Sequence, residues 1–394
     1  MLKNDKKDTR RIITTKGELP ILRTVLRPRD AASMGKLQEL YDVRCIAPLD
    51  IVLKIDDLPF KMTREMMCEV AFWGQNQSSF KSASSIIRKV HGTSISPETV
   101  RAITDYVGKI IFEMDTREAE EAYAGIQHIS YSRNKHGVFY IQADGAALNT
   151  RTKNDEGSTW RENKLGMVFS SDNIRKTVNK KGEEIGKILK KEYTSYVGSA
   201  QEFKKRLFAC AVRNGYGAYK ETVLLSDGAV WIKNIGEELF PDAVQILDLF
   251  HMCENIYSYA KAIFKNDESK YKPWAEDIIE KLKNGEKQDV VQILKSLKNR
   301  KIPKGTVNLY TYVTNNINRI DYDTYKKRGY YVGSGAIESG NKVVLQKRLK
   351  LAGMRWDEIS AQYLLSLRAK YESDLWKACV VKPLLSYDFK IKNL

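Results

Sequence analysis

The chain has 394 residues and a mass of 45.2 kDa, enough for two or three units of ~100 to 200 residues and for a sizeable core. Lysine and arginine outnumber aspartate and glutamate 66 to 49, a formal net charge of +17, while 42% hydrophobic and 10% aromatic content exclude disorder for the bulk of the chain. Charge of this sign favours a polyanionic partner, either nucleic acid or an anionic membrane surface.

No apolar run approaches the ~18 to 20 residues of a spanning helix, and the lysine- and arginine-rich first 30 residues hold no signal-peptide core, so a soluble intracellular protein with no membrane partner is expected. Cys45, Cys68, Cys210, Cys253 and Cys379 form no C-x-x-C pair, which speaks against a disulfide framework or a zinc module. Four histidines leave a hard-metal site of carboxylate oxygens as the open metal chemistry.

In chain order, residues 1–50 read as a basic N-terminal arm with Arg10, Arg11, Arg23, Arg27 and Arg29, either a solvated tail or a DNA contact. Residues 51–130 read as helical. Ala83, Ile86, Ile87 and Val90 recur at helical spacing before Gly92. Ser96-Pro97 then starts a second helix with Val100, Ile103, Val107 and Ile110 on one face. Two short helices across a tight turn make a helix-turn-helix candidate for DNA binding, with Arg101 on the exposed side; a plain helical hairpin is the competing reading.

From 137 to 251 the period changes. Strands are expected at Gly137–Gly145, Trp160–Phe169 and Lys191–Val197, a helix at Ala200–Arg213, a strand at Glu221–Ser226, a short helix at Trp231–Leu239 and a strand at Ala243–Leu247. Three strands, a helix, a strand, a helix and a strand is the element order of an α/β domain with a ribonuclease-H-like core, a mixed sheet flanked by helices. Residues 252–325 read as an all-helical insertion, 326–375 as the last part of the core with a helix broken near Gly353, and 376–394 as a tail.

Asp144 and Asp227 each follow a β-run and precede a glycine, and Glu338 opens a helix in Gly-Ser-Gly-Ala-Ile-Glu. Three such carboxylates, two at strand ends and one on a helix, suit two Mg²⁺ ions, with Mn²⁺ as a substitute. Each also has an ordinary reading, since Asp-Gly is a common turn and Glu338 can pair with Lys342 one turn on.

Asp227-Gly-Ala-Val-Trp231-Ile, Phe240-Pro-Asp-Ala-Val-Gln-Ile-Leu-Asp248-Leu-Phe-His251, Gly333-Ser-Gly-Ala-Ile-Glu338-Ser and Gln346-Lys-Arg-Leu-Lys-Leu-Ala-Gly-Met-Arg-Trp356 resemble bacterial insertion-sequence transposases of the DDE type related to the Mutator-like group. The resemblance covers roughly residues 137–372. It implies Asp144, Asp227 and Glu338 as catalytic, metal-holding acids, with Asp248 and His251 as supporting residues. It also implies metal-dependent cleavage of DNA at element ends and strand transfer into target DNA, and a cytoplasmic, nucleoid-associated bacterial protein. Joining two double-stranded ends calls for a homodimer or larger assembly.

After Glu338, Lys342, Lys347, Arg348, Lys350 and Arg355 follow with no acidic residue before Trp356, a candidate DNA path or a solvated basic face. Trp231 is either a base-stacking ring or core. Trp160-Arg-Glu162-Asn-Lys164 also matches a family stretch, with a cross-strand ion pair as the simple reading. Gly335–Lys342 imitates a phosphate-binding loop, but Asn341 interrupts its end and no ATP is expected. Asp155 and Asp172 are weaker substitutes for Asp144. The alternatives in function are a catalytically inactive transposase-derived DNA-binding protein and a ribonuclease-H-like nuclease that cuts without joining.

Overall fold

The computed structural model describes residues 2–41, 45–53, 59–125, 132–178 and 184–386. The chain divides into two compact units, Met1–Glu113 with Ser366–Leu394, and Met114–Leu365.

The expected N-terminal arm is instead a hairpin of β1 (Leu2–Thr14) and β2 (Gly17–Pro28), followed by α1 (Ala31–Tyr41) and α2 (Pro48–Val52). Its arginines serve the fold. Arg10 and Arg23 both donate to the carboxylate of fully buried Asp50, and Arg27 pairs with Asp5 at 3.1 Å. A buried carboxylate without such partners would be strongly destabilising.

Three helices follow, α3 (Arg64–Asn76), α4 (Phe80–His91) and α5 (Pro97–Ala124). The side chains of Thr63, Ser79 and Ser96 accept from the amides of Met66, Ser82 and Thr99, capping each first turn. Ala83, Ile87, Val100, Ile103, Val107 and Ile110 are buried as expected, but Val90 faces out. The helix after the turn is not short: it runs 28 residues, and Arg101 lies 3.5 Å from Asp105 on the same face.

In the second unit, β3 (Lys135–Asn149), β4 (Trp160–Ser170) and β7 (Glu192–Val197) form the antiparallel part of a five-stranded mixed sheet. Between β4 and β7 stands a separate two-stranded ribbon, β5 (Ile174–Val178) with β6 (Glu184–Ile188), absent from the expected elements. α6 (Ala200–Arg213) leads to β8 (Tyr219–Ser226), and α7 (Val230–Leu239) to β9 (Val244–Leu247); β8 and β9 lie parallel to β3, giving the order β7-β4-β3-β8-β9.

Strand alternation divides β3 between two faces. Phe139, Ile141 and Ala143 point into a core with Phe203, Leu207 and Phe208 of α6 and Ile232 and Ile235 of α7. Emptying one of its phenylalanine positions would cost about 3–5 kcal/mol. Tyr140, Gln142 and Asp144 fall on the opposite face.

Beyond β9 the helices are α8 (Leu249–Ile263), α9 (Glu268–Lys283), α10 (Lys287–Lys295), α11 (Leu309–Asn315), α12 (Tyr322–Lys327), α13 (Gly335–Asn341), α14 (Lys347–Leu349), α15 (Glu358–Glu372) and α16 (Lys382–Ser386), with a π-turn at Lys342–Gln346. Residues 252–325 carry the rest of α8 and then α9 to α12, with 296–308 outside any helix. The expected tail is helical as far as Ser386 and buries Val380 and Leu384; 387–394 lie outside the described residues. No helix among the described residues is long and apolar enough to cross a membrane.

Candidate metal centre

The sheet register brings three aspartates level. Gln142 on β3 lies opposite Leu225 on β8, and Ser226 opposite Leu247 on β9. Carried one or two residues past the last pair, the same register sets Asp144, Asp227 and Asp248 side by side, the latter two just past the ends of β8 and β9 and Asp144 where β3 leaves β8 and, contrary to the expected strand end, runs on beside β4 to Asn149. Burial and the neighbouring charge of Asp227 push the Asp144 carboxyl above the usual carboxylate range, while the Gly145 amide, Asn341 and His251 pull it down.

The three aspartates are held differently. Asp144 Oδ1 accepts from the Gly145 amide at 2.8 Å and Oδ2 from Asn341 Nδ2 at 2.5 Å. Asp227 Oδ1 accepts from the Ala229 amide at 2.9 Å; no described residue hydrogen-bonds Oδ2. Asp248 is fully buried and caps α8, its Oδ1 accepting from the Phe250 amide at 2.9 Å and the Ser334 amide at 3.2 Å, its Oδ2 from the Ser334 hydroxyl. Asp248 is therefore a structural hub, its lone pairs largely spoken for.

Glu338 arrives on α13, which docks on the Asp144 face of the sheet. Buried Gln142 accepts from the Ile337 amide at 3.1 Å, an amide it shares with the Ser334 carbonyl at 2.9 Å in the first turn. A Cβ on Gly340 would meet Tyr193 at 2.6 Å, so only glycine allows this approach. Asn341 follows Glu338 by three residues and so shares its side of the helix. Ser334 Oγ lies 3.0 Å from Glu338 Oε1 as well as against Asp248, linking both acids through one hydroxyl.

The helical segment closes the back of the site. Tyr312 donates its hydroxyl to the Asp227 carbonyl at 3.1 Å, and buried Arg319 donates to Ser226 Oγ at 2.6 Å. Burial pushes the Tyr312 phenol up to about 12, so it stays a donor at any working pH.

One group of possible metal ligands meets at Glu338. Asp248, His251 and Glu338 each bring a possible ligand atom within 4.8 Å of the others. His251 Nε2 is 3.7 Å from Asp248 Oδ2 and Nδ1 is 3.2 Å from Glu254 Oε2. Asp144, Asp227 and Glu338 are not gathered as tightly, since among the described residues only the first group has its ligand atoms all within 4.8 Å, although Asp144 and Asp227 are close enough for their charges to repel. A cation beside the two aspartates would relieve that repulsion, and carboxylate oxygens are the donors a hard divalent ion takes.

The remaining residues separate sharply. Lys342, Lys347, Lys350 and Arg355 are exposed, but Arg348 is not a surface cation: it is buried, its guanidinium 5.0 Å over the Trp356 ring. Trp231 is half-buried against the core, edge-on to Phe203 at 5.5 Å with Lys164 Nζ over its face at 5.3 Å. Lys164 also pairs with Glu162 at 2.5 Å, an ion pair two residues apart on one strand. Asp155 lies in the turn after β3, and Asp172 accepts from Tyr219 at the start of β8, the far end of the strand from Asp227. Gly335–Asn341 is helix, with no phosphate-binding loop.

Gln142, Ser334, Asn341, Tyr312 and Arg319 escaped the sequence reading. Only Asn341 carried a local signal, its helical spacing from Glu338. No protein-family model matches the chain, and no curated protein matches it.

Proposed function

We propose that this chain is a DDE-type transposase with a ribonuclease-H-like core, whose acids Asp144, Asp227 and Glu338 hold two Mg²⁺ ions for cleavage and joining of DNA. The observation that carries the reading is the bond from Asn341 to Asp144, which ties the Glu338 helix to the first acid of the level aspartate row. The sheet order, antiparallel β7-β4-β3 continued by parallel β8 and β9, supports the core, and the helical segment between Asp248 and Glu338 supports the insertion.

The ions, when bound, would supply positive charge at the attacking and leaving oxygens of the phosphodiester. The chain's own residues do the rest. Asp144 presents its oxygens from within β3 and Asp227 from just past the end of β8, Glu338 closes the set from α13, and Asn341 and Ser334 fix the angles at which these carboxylates stand. Exposed Lys342, Lys347 and Lys350 offer phosphate contacts beyond Glu338, and a net charge of +17 concentrates DNA near the protein.

The test is a joining assay with a labelled fragment from the DNA flanking the gene and a supercoiled plasmid, in Mg²⁺ or Mn²⁺, with wild type beside Asp227→Asn. Joined product from wild type alone is expected. Nicks without joining would turn the reading to a nuclease, and DNA binding without new ends to a silent DNA-binding protein.

A further inference from the structure

A cavity of about 240 Å³ opens where β3 ends and β4 begins, lined by Asn149, Trp160, Leu351, Met354, Lys350 and Arg355 among others. Its frame is rigid. The Trp356 amide donates to the Asn149 carbonyl at 3.0 Å, the Arg151 amide to the Trp356 carbonyl at 2.8 Å, and the Trp356 indole to the Leu349 carbonyl at 3.1 Å. Arg161, next to the tryptophan, pairs with Glu358 at 2.7 Å and holds the start of β4 in place.

Within this frame Trp160 leaves 52% of its surface open. A large ring left exposed in a concave site, with apolar walls from Leu351 and Met354, is a surface suited to a flat partner. Exposed Lys350 and Arg355 line the same cavity, exposed Arg151 stands two residues after Asn149, and among the described residues no acid lines it. The volume lies below the roughly 300–1,000 Å³ of sites that enclose whole small-molecule ligands, so the cavity suits one ring and not a complete cofactor.

We infer that this cleft is a binding subsite for one unpaired nucleotide of a DNA strand, its base stacked on Trp160 and its flanking phosphates met by Lys350 and Arg355. An aromatic face beside cations is how single strands are gripped without sequence preference. A duplex hides its base faces in the stack. Asn149 lies five residues beyond Asp144 on β3, so the subsite is ~17 Å along the strand from the first acid, at the rise of an extended chain. It rests on the DNA reading above for the identity of the polyanion and gives that reading a second, non-catalytic contact.

The experiment measures binding of the full chain, in EDTA so that nothing is cut, by anisotropy of a labelled 12-nucleotide single strand. The same strand annealed to its complement, the same sequence as RNA, and free dAMP are compared. Trp160→Leu is expected to lose roughly tenfold or more in single-strand affinity, Trp160→Phe to stay within a few-fold of wild type, and duplex affinity to change little in either. Lys350→Ala with Arg355→Ala should lower the salt slope for the single strand by roughly one to two.

Equal single-strand binding by wild type and Trp160→Leu would overturn the subsite, as would tighter binding of RNA than of DNA. Saturable binding of dAMP that depends on Trp160 and exceeds the strand's affinity would assign the cleft to free nucleotides instead. The two readings fail separately. A wild type that never joins DNA yet shows the Trp160 dependence keeps the subsite and loses the transposase, and the reverse pattern does the opposite.

Discussion

Asn341 Nδ2 donates to Asp144 Oδ2 across 2.5 Å, joining residues 197 positions apart and fixing the α13 helix to β3. Neither partner can do this alone, because Asp144 sits where β3 leaves β8 with a like charge beside it and Asn341 on a seven-residue helix. Asn341→Ala should therefore leave the fold intact and raise the Mg²⁺ concentration for half-maximal joining by roughly 10- to 100-fold, the usual cost of losing a partner that orients a ligand. A titration of joining against Mg²⁺ reads this directly. An unchanged midpoint would reduce the bond to a packing detail.

Asp144→Asn separates stability from activity. The folded-state carboxyl is raised above its unfolded value, so its ionised form costs stability above the folded pKa, and that cost is absent below the unfolded pKa. In EDTA at pH 7 to 8 the variant should thus melt higher than wild type, and the gap should close as pH falls below the usual carboxylate range. Joining should be lost at every pH. Adding Mg²⁺ should raise the wild-type melting temperature more than the variant's. A variant less stable in EDTA at neutral pH would make Asp144 a structural acid.

The strands of the mixed sheet were legible because their inner faces are apolar at every second residue; Phe139, Ile141 and Ala143 are one such run. Helix α6 was legible to the residue, since Ser199 caps it and a buried apolar face runs through it. The hairpin β1–β2 and the ribbon β5–β6 were not. Most of Leu2–Arg11 is exposed, as are Arg175 to Val178, so neither leaves an alternating pattern. Asp144 and Asp227 were readable as acids closing β-runs and Glu338 as one opening a helix. Their alignment with Asp248 was not, because register is set by pairing between distant segments. Arg348 misled for the opposite reason: a cation reads as surface until Trp356, eight residues on, is seen to lie under it.

Ser334 should prove a stability residue as much as a site residue. Its hydroxyl and amide both meet the fully buried Asp248 carboxylate. Ser334→Ala removes a donor from a buried charge and should cost about 1–3 kcal/mol in urea unfolding. Ser334→Thr keeps the hydroxyl and should recover most of the loss. Equal instability of both would point to crowding at the start of α13.

Tyr312 couples the helical segment to the second acid, and its chemistry makes the coupling testable. The hydroxyl meets the Asp227 carbonyl at 3.1 Å, and Tyr312→Phe deletes that bond while keeping the ring, for a loss of about 0.5–1.5 kcal/mol. Because burial raises the folded-state phenol to about 12 from an ordinary value of 10, its contribution is fully present below pH 10 and disappears as pH rises towards 12. The stability difference between wild type and variant should accordingly stay flat from pH 6 to 9 and shrink above 10. Urea unfolding across that range measures it. A difference already shrinking between pH 8 and 9 would mean that the phenol is not held in its protonated form, and Tyr312 would no longer account for how the Asp227 turn is kept in place.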